Sequence, residues 1–342
     1  MKQVIIIFFI ILINKSSFPI SIFDTEYYEI QFNSINIEND KLSEIKKIKF
    51  KSINKIFKDI LLEKDYANIN KIINVDLINT FIKNIVFKDE KIVGNNYYSK
   101  IKINFDSNSI INFLRNNKLS FVIHRPKKFL IVILEDNKYN KNLFTNKNSY
   151  YDFLLDSNFK NNFYEVPNLD INDRYILTDK DIINKNLSKL NKFSLKYNNL
   201  DIIVVMSLKD KSEIKHNVYL FSNESIINLD TIYQKKIDYN NFFTNLEKLV
   251  LNNWKNENKI QNKEVNYINC NIEYFNLYEL KAIKKNLKNS PIIKNFMVNL
   301  ISYKKNNYDM YFFGNYKILS DILKLSGLKI NFLNNNCNIK IL

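Results

Sequence analysis

The sequence predicts a mixed α+β protein made of three modules. Helical stripes of apolar residues alternate along the chain with runs that have β-strand periodicity. Two runs, Phe129–Leu134 and Leu200–Lys209, are apolar on both faces, which is typical of strands at the centre of a sheet. The C-terminal region has the order strand, helix, strand, strand, helix, strand, which is the split βαβ order of ferredoxin-like folds.

Residues 22–124 are predicted to form an N-terminal α+β module. Their elements are a strand with a phase shift in Glu26–Glu38, a long helix through Leu42–Ile60 that Asp40 could cap, a helix over Val75–Ile85, a strand over Asn96–Asp106, and a helix that Asp106 or Ser107 caps. The lysines between the apolar positions of the long helix are expected to cover its solvent face.

Residues 125–258 are predicted to form a central α/β sandwich, which resembles anticodon-binding-like domains by fold analogy only. Its strands are the two doubly apolar runs and two antiparallel partners in residues 215–223 and 228–238. Its helices are Ser149–Leu155, Asp181–Leu195 and Asn240–Glu257, and residues 164–175 form an irregular segment.

Residues 265–342 are predicted to form the ferredoxin-like module, after a polar linker in Asn256–Asn266. Asn276 is a suitable N-cap for its first helix, and Gly327 stands where a glycine commonly ends a helix. This fold hosts many unrelated activities, so it indicates no function by itself.

The N-terminus predicts export. A short positive end at Lys2 precedes the uninterrupted apolar run Val4–Ile13, and polar residues follow from Asn14. That run is too short to span a hydrocarbon layer of roughly 30 Å but suits the core of a signal peptide. We expect residues 1–21 to be a signal peptide cut near Ser17–Ser21. A retained anchor and a buried N-terminal strand are the alternatives.

The net charge of +16 has two interpretations. A polyanion-binding surface is one. The other is codon bias, because Lys, Asn and Ile have AT-rich codons and the chain holds few Gly and Pro. Only Arg115, Arg125 and Arg174 are arginine among 51 basic residues. Arginine is the residue that proteins favour for base and phosphate contacts. We therefore predict that nucleic acid is not the partner.

The sequence contains no pattern of an enzyme or a cofactor site. His124 and His216 are far apart and neither has a cysteine nearby, so no zinc-ligand cluster is present. The glycines are too few for a phosphate-binding loop. Four carboxylates in one loop, Asp170, Asp173, Asp179 and Asp181, fit a cation or acid–base site, or turn and cap chemistry, which we favour. We predict no catalytic, cofactor-binding or metal-binding residue.

The two cysteines, Cys270 and Cys337, are both placed in the C-terminal module. We expect Cys270 in its first strand and Cys337 just past its last strand. In a ferredoxin-like sheet the first and fourth strands are antiparallel neighbours, so the thiols could approach. An oxidising compartment favours their pairing. Cys270 is also in phase with Ile268 and Ile272, as a small buried apolar residue would be, so a disulfide and two free thiols both remain open.

The order of these features resembles a proteobacterial family of exported proteins known as domain of unknown function 2066. Phe105-Asp106, Leu114, Leu119, Arg125-Pro126 and Phe129–Leu134 correspond to its recurring positions, and Val166–Asp173 and Leu200–Lys209 are similar to a later loop and strand. The chain departs from the family at Lys118 and Ser207, where glycine is usual, and at Phe121 or Ile123, where tryptophan is common. The resemblance implies export and fold, and no mechanism.

Arg125-Pro126 is predicted to be the junction between the first two modules. Proline restricts the residue before it to extended backbone and removes a donor, so the pair can enter a strand but cannot lie in mid-sheet. A ligand-anion contact and an active-site pair with His124 are the alternatives for Arg125.

These observations predict an exported, non-enzymatic scaffold or interaction protein of the bacterial periplasm, with an envelope protein as partner and no cofactor. Peripheral association with the membrane is compatible with this. The alternative is a lysine-rich protein that binds nucleic acid or an anionic membrane surface. A contiguous stripe of lysines would favour the alternative, and scattered lysines would favour the scaffold. An enzyme with a novel site is a third hypothesis.

Overall fold

The computed structural model describes residues 22–137, 140–145, 147–156, 162–210, 213–261, 265–334 and 336–342. These residues form eleven helices and three sheets, so the predicted mixed α+β class is confirmed. They divide into two compact units. One unit contains residues 22–124 together with 258–342, and the other contains Arg125–Glu257. The predicted signal peptide at residues 1–21, and part of the predicted linker at Asn256–Asn266, lie outside the described residues.

The N-terminal sheet has three antiparallel strands in the order β1-β3-β2. Its elements along the chain are β1 (Tyr28–Asn33), α1 (Ile37–Ile60), α2 (Glu63–Ile69), α3 (Val75–Phe81), β2 (Ile82–Val93), β3 (Asn96–Phe105) and α4 (Ser107–Asn116). Every second residue of β3 is buried on the side of Ile101 and Ile103, where α1 packs. The other face of the sheet is open.

Three boundaries in this module differ from the predictions. The cap of α1 is Asn36, whose side chain accepts a hydrogen bond from the amide of Asn39, and Asp40 lies inside the helix. The predicted strand Glu26–Glu38 ends at Asn33. The predicted helix Val75–Ile85 ends at Phe81, because the next residues pair with β3 as the long strand β2. Tertiary pairing overrides local periodicity here.

The second unit contains a mixed sheet with the main order β10-β8-β7-β4-β5, in which β6 also pairs with β4 and β9 with β8. The strands are β4 (Phe129–Asp136), β5 (Lys141–Asn142), β6 (Tyr164–Glu165), β7 (Ile202–Lys209), β8 (Ile214–Ser222), β9 (Ser225–Asn228) and β10 (Ile232–Gln234). The doubly apolar runs are the parallel neighbours β4 and β7, and the residues from Phe129 to Leu134 are all buried.

The helices of this unit are α5 (Ser149–Leu155), α6 (Ile171–Ile176), α7 (Asp179–Ile183), α8 (Leu187–Lys196) and α9 (Tyr239–Asn258). The single helix predicted over Asp181–Leu195 is wrong. The chain interrupts it at Asn184–Asn186, where Lys185 has a φ of 51° and Asn186 caps the next helix. Asparagine competes with the helix by bonding its own backbone, which explains the break.

The C-terminal sheet has five strands in the order β12-β13-β11-β15-β14. Its elements are β11 (Val265–Glu273), α10 (Leu277–Asn289), β12 (Ile293–Ser302), β13 (Lys305–Phe313), α11 (Tyr316–Leu325), β14 (Leu328–Leu333) and β15 (Asn336–Ile341). The predicted elements up to β14 are present. The last strand, β15, was not predicted. It lies between β11 and β14, parallel to β11, in the position where the ferredoxin-like topology places its fourth strand.

The first and third sheets are built on the same plan. Each has the order strand, helical segment, strand, strand, helix, and in each the first strand pairs with the third. Asn36 and Asn276 cap the helix after the first strand, and Asp106 and Asn315 cap the helix after the third. The chain therefore contains an internal repeat of this unit, and the C-terminal copy adds β14 and β15.

The helices α4 and α11 both end in a left-handed turn, but a different residue type adopts the left-handed conformation in each. The residue beyond the C-cap is Lys118 in the first copy, with a φ of 57°, and Gly327 in the second, with a φ of 76°. The amide of Leu119 reaches back to the carbonyl of Leu114, as in a Schellman turn. Glycine is the residue that adopts this left-handed conformation without strain.

Replacing Lys118 by glycine and Gly327 by alanine should change the free energy of unfolding in opposite directions. We expect Lys118→Gly to raise the free energy of unfolding by about 1 kcal/mol, because it removes left-handed strain. Gly327→Ala should lower it by about 1 kcal/mol, and strain alone would be the cause, since no atom lies within 4 Å of the added Cβ. Urea denaturation measures both. A loss of stability in Lys118→Gly would contradict the strain argument.

Candidate functional site

The predicted junction lies at the boundary of the two compact units, which divide between His124 and Arg125. Arg125 is exposed and Pro126 is half-buried. His124 is half-buried, and this burial lowers the pKa of its imidazole. His124 and His216 belong to different units.

His216 lies in a buried polar cluster that the sequence did not reveal. Ser207 on β7 is directly opposite His216 on β8, and the hydroxyls of Ser207 and Tyr150 are 2.9 Å apart. The Nε2 atom of His216 is 3.2 Å from Oε1 of Gln234. The ring centroids of His216 and Phe242 are 4.3 Å apart. These residues are separated in sequence and meet only through strand pairing, so no local motif marks them.

The cluster combines a serine, a tyrosine and a histidine, but it is closed to a substrate. His216, Tyr150 and Ser207 are at most 2% exposed. Burial lowers the pKa of His216 to about 4 and raises that of Tyr150 to about 12, so both are neutral near pH 7. Aromatic packing fills the space around the imidazole. The arrangement lies in the core of the second unit, where Nδ1 of His216 has no hydrogen-bond partner among the described residues, and it offers no reacting group to solvent.

The neutral state of His216 should make the stability of the second unit depend on pH. The unfolded chain binds a proton near pH 6.5, whereas the folded chain binds it only near pH 4. The neutral imidazole therefore causes no loss of unfolding free energy above about pH 6.5, and the free energy of unfolding falls as the pH decreases toward 4. We expect wild type to lose about 2 kcal/mol more than His216→Gln between about pH 7 and pH 5. Equal losses, measured by urea denaturation, would contradict this.

The four loop carboxylates do not form a cation site. Asp170 caps α6, and Asp181 forms a capping box with Thr178 at the start of α7, as the cap interpretation predicted. Asp173 is fully buried and accepts hydrogen bonds from Lys196 at 2.6 Å, from the Tyr197 hydroxyl and from the amide of Leu169. In the part of the chain that the structure describes, no group of His, Cys, Asp and Glu is arranged to hold a metal.

Cys270 and Cys337 are disulfide-bonded in the structure. They are register partners on the parallel neighbours β11 and β15, with their Cα atoms 4.4 Å apart. The predicted route to proximity, through an antiparallel fourth strand, is wrong. Cys337 does not follow the last strand but belongs to it. Both side chains point into the face that the helices cover, and both are at most 1% exposed.

The opposite face of this sheet is open and carries two tyrosines on its central strands. Tyr267 on β11 and Tyr311 on β13 are register partners, and their ring centroids are 5.3 Å apart. Tyr267 is half-exposed, and its hydroxyl donates to the carboxylate of Asp309 at 2.7 Å. This hydrogen bond raises the pKa of Tyr267, so the hydroxyl remains a donor.

A chain of asparagine side chains continues from Asp309 across the same open face. The amide of Asn269 donates to Asp309 and to Asn307, and Asn307 donates to Asn269 and Asn271. Asn271 in turn donates to Asn338 on β15. These contacts fix the orientations of neighbouring amides on three adjacent strands. The open face of the C-terminal sheet, defined by Tyr267, Tyr311, Asp309 and these asparagines, is the candidate site.

The open face of the N-terminal sheet has a different character. Lys88 on β2 is opposite Lys100 on β3, Lys91 is opposite Tyr98, and Lys102 lies on the same side of β3. The side chain of Lys100 is 2.7 Å from Glu29, an ion pair that raises the pKa of the lysine. The lysines of this face are thus neighbours on two paired strands.

Comparisons with known proteins match nothing to this chain, whether with protein-family models, with curated proteins or with solved structures. Among the described residues, no helix has both the length and the apolar content needed to cross a bilayer.

Proposed function

We propose that the chain is an exported, non-enzymatic binding protein of the bacterial cell envelope. The observation that carries the proposal is the Cys270–Cys337 disulfide. Disulfides persist in oxidising compartments outside the cytoplasm and are rare inside it. The apolar run Val4–Ile13 supplies the matching export signal in this proposal.

In this proposal the chain consists of three modules, residues 22–124, 125–258 and 265–342. The last module is a ferredoxin-like unit that β15 extends. We also propose that the chain belongs to the domain of unknown function 2066 family, which it resembles. The left-handed backbone at Lys118 supports this, because glycine is usual there in that family and suits this conformation. Arg125 and Pro126 act structurally, at the junction of the first two modules.

Binding is favoured over catalysis by where the polar side chains lie. In the second unit, His216 contacts Gln234 and Asp173 accepts from Lys196, and the side chains of His216 and Asp173 are closed to solvent. The exposed tyrosines, asparagines and lysines described above lie on open sheet faces, as in proteins that bind a partner against a sheet. We infer that an envelope component binds the open face of the C-terminal sheet.

Fractionation of the native host tests this function. We expect the protein in the periplasmic fraction, with an N-terminus between residues 17 and 22 and no free thiol after denaturation without reductant. A cytoplasmic product that begins at Met1 and has two free thiols would contradict the proposal.

A second candidate function is binding of a polyanion on the open face of the N-terminal sheet. The set of neighbouring lysines Lys88, Lys91, Lys100 and Lys102 favours it. Lysine contacts with polyanions release counterions, so binding should weaken steeply with salt. We expect alanine at these four positions to lower the salt needed for elution from heparin. The matched control substitutes the exposed α10 residues Lys281, Lys284, Lys285 and Lys288. Equal effects in the two variants would indicate net charge alone.

A further inference from the structure

The open face of the C-terminal sheet presents aromatic and amide side chains in a fixed arrangement. The tyrosine pair Tyr267 and Tyr311 offers aromatic surface at one end. The asparagine chain offers amide donors and acceptors, and it runs from Asp309 to Asn338. Since each amide carries two donors and an acceptor oxygen, Asn338 and Asn271 retain donor capacity beyond the chain itself.

The charges on this face indicate which polymer fits it. Asp309 lies between the tyrosines and the asparagines. At the other end Glu273 is opposite Lys305, and Lys329 is opposite Lys340. A phosphate backbone crossing the middle of the face would meet the Asp309 carboxylate. Nucleic acid would be drawn instead to the lysines of the N-terminal sheet.

An uncharged sugar polymer has the complementary chemistry. One face of a pyranose ring exposes C–H groups that pack against an aromatic ring, and its rim carries hydroxyls that both donate and accept hydrogen bonds. Amides and a carboxylate can pair with those hydroxyls without placing an unpaired charge against them. An open sheet face also admits a chain that continues beyond it in both directions.

We propose that this face binds a glycan strand of the cell wall, with Tyr267 and Tyr311 stacking on sugar rings and the asparagine chain and Asp309 bonding to hydroxyls. The proposal deepens the proposed function and rests on it, because a protein meets cell-wall glycan only after export.

Cosedimentation with purified cell-wall sacculi tests the proposal. We expect the full chain to sediment with sacculi, and Tyr267→Ala combined with Tyr311→Ala to weaken binding about tenfold or more. The matched control is Tyr278→Ala combined with Tyr303→Ala, two tyrosines of the same module that are 84% and 87% exposed. This control should bind like wild type. Tyr267→Ala alone changes a half-exposed side chain, so we expect this variant to fold and to bind sacculi more weakly than wild type.

Soluble ligands separate the possible occupants. N-acetylglucosamine oligomers should compete with sacculi, and oligothymidylate should not. Competition by oligothymidylate alone would overturn the glycan proposal. Equal binding by the Tyr267→Ala/Tyr311→Ala variant and the control variant would also overturn it. So would a lack of sedimentation by protein that is periplasmic and disulfide-bonded, and this last outcome leaves the proposed function standing. A cytoplasmic protein with free thiols would instead overturn the proposed function.

Discussion

Reducing the Cys270–Cys337 bond is expected to lower the free energy of unfolding of the unit that contains it by about 4 kcal/mol on the chain-entropy model. The bond closes a loop with a sequence separation of 67 residues, which limits the unfolded chain. Because both sulfurs are buried, the bond should resist mild reductant until the sheet opens. Cys270→Ala combined with Cys337→Ala should show a similar loss without reductant.

Urea denaturation with two signals measures this effect. Trp254 is the only tryptophan of the chain and belongs to the second unit, so its fluorescence reports that unit. Far-ultraviolet circular dichroism reports both units. Reductant should shift the circular dichroism transition and leave the Trp254 transition unchanged. An unchanged circular dichroism transition in reduced protein would show that the bond does not stabilise the fold.

Removing the Asp173 carboxylate is expected to cost the second unit about 3 kcal/mol, because it leaves several donors without their buried acceptor. Asp173→Ala removes the fully buried 2.6 Å partner of the Lys196 ammonium, which retains Asp170 at 3.5 Å, and the acceptor of the Tyr197 hydroxyl. It also removes the acceptor for the amide of Leu169, which is held at a φ of 59°. The Trp254 fluorescence transition in urea measures the loss.

Glu165→Ala is the matched control for Asp173→Ala. It breaks the ion pair with Lys128, in which the two side chains are 45% and 49% exposed. Exposed ion pairs contribute at most about 1 kcal/mol, so this variant should remain close to wild type. Similar losses of unfolding free energy in the two variants would show that the burial of Asp173 does not increase its contribution to stability.

The sequence predicted the parts of the fold that local chemistry determines. The helices capped by Asp106 and Asn276 begin where expected, and the apolar runs β4 and β7 are adjacent in the sheet centre. Here cap residues and apolar periodicity act within a few residues of each other, so a single sequence contains the information.

The elements that were missed depend on distant pairing. The strand β15 is short and rich in asparagine, which disfavours strands, and it is stabilised between β11 and β14. Without β15, the register of Cys337 with Cys270 could not be derived. The candidate face was missed for the same reason, because Tyr267, Tyr311 and Asn338 share a face only after three strands have paired.

The intact mass of the protein purified from the periplasm without reductant tests the central claim most directly, because it reports both export and the disulfide. We predict a mass that lacks the N-terminal residues up to the Ser17–Ser21 region and rises by two hydrogens after reduction, as one disulfide requires. Full-length chain with an unchanged mass after reduction, recovered only from the cytoplasm, would contradict the account.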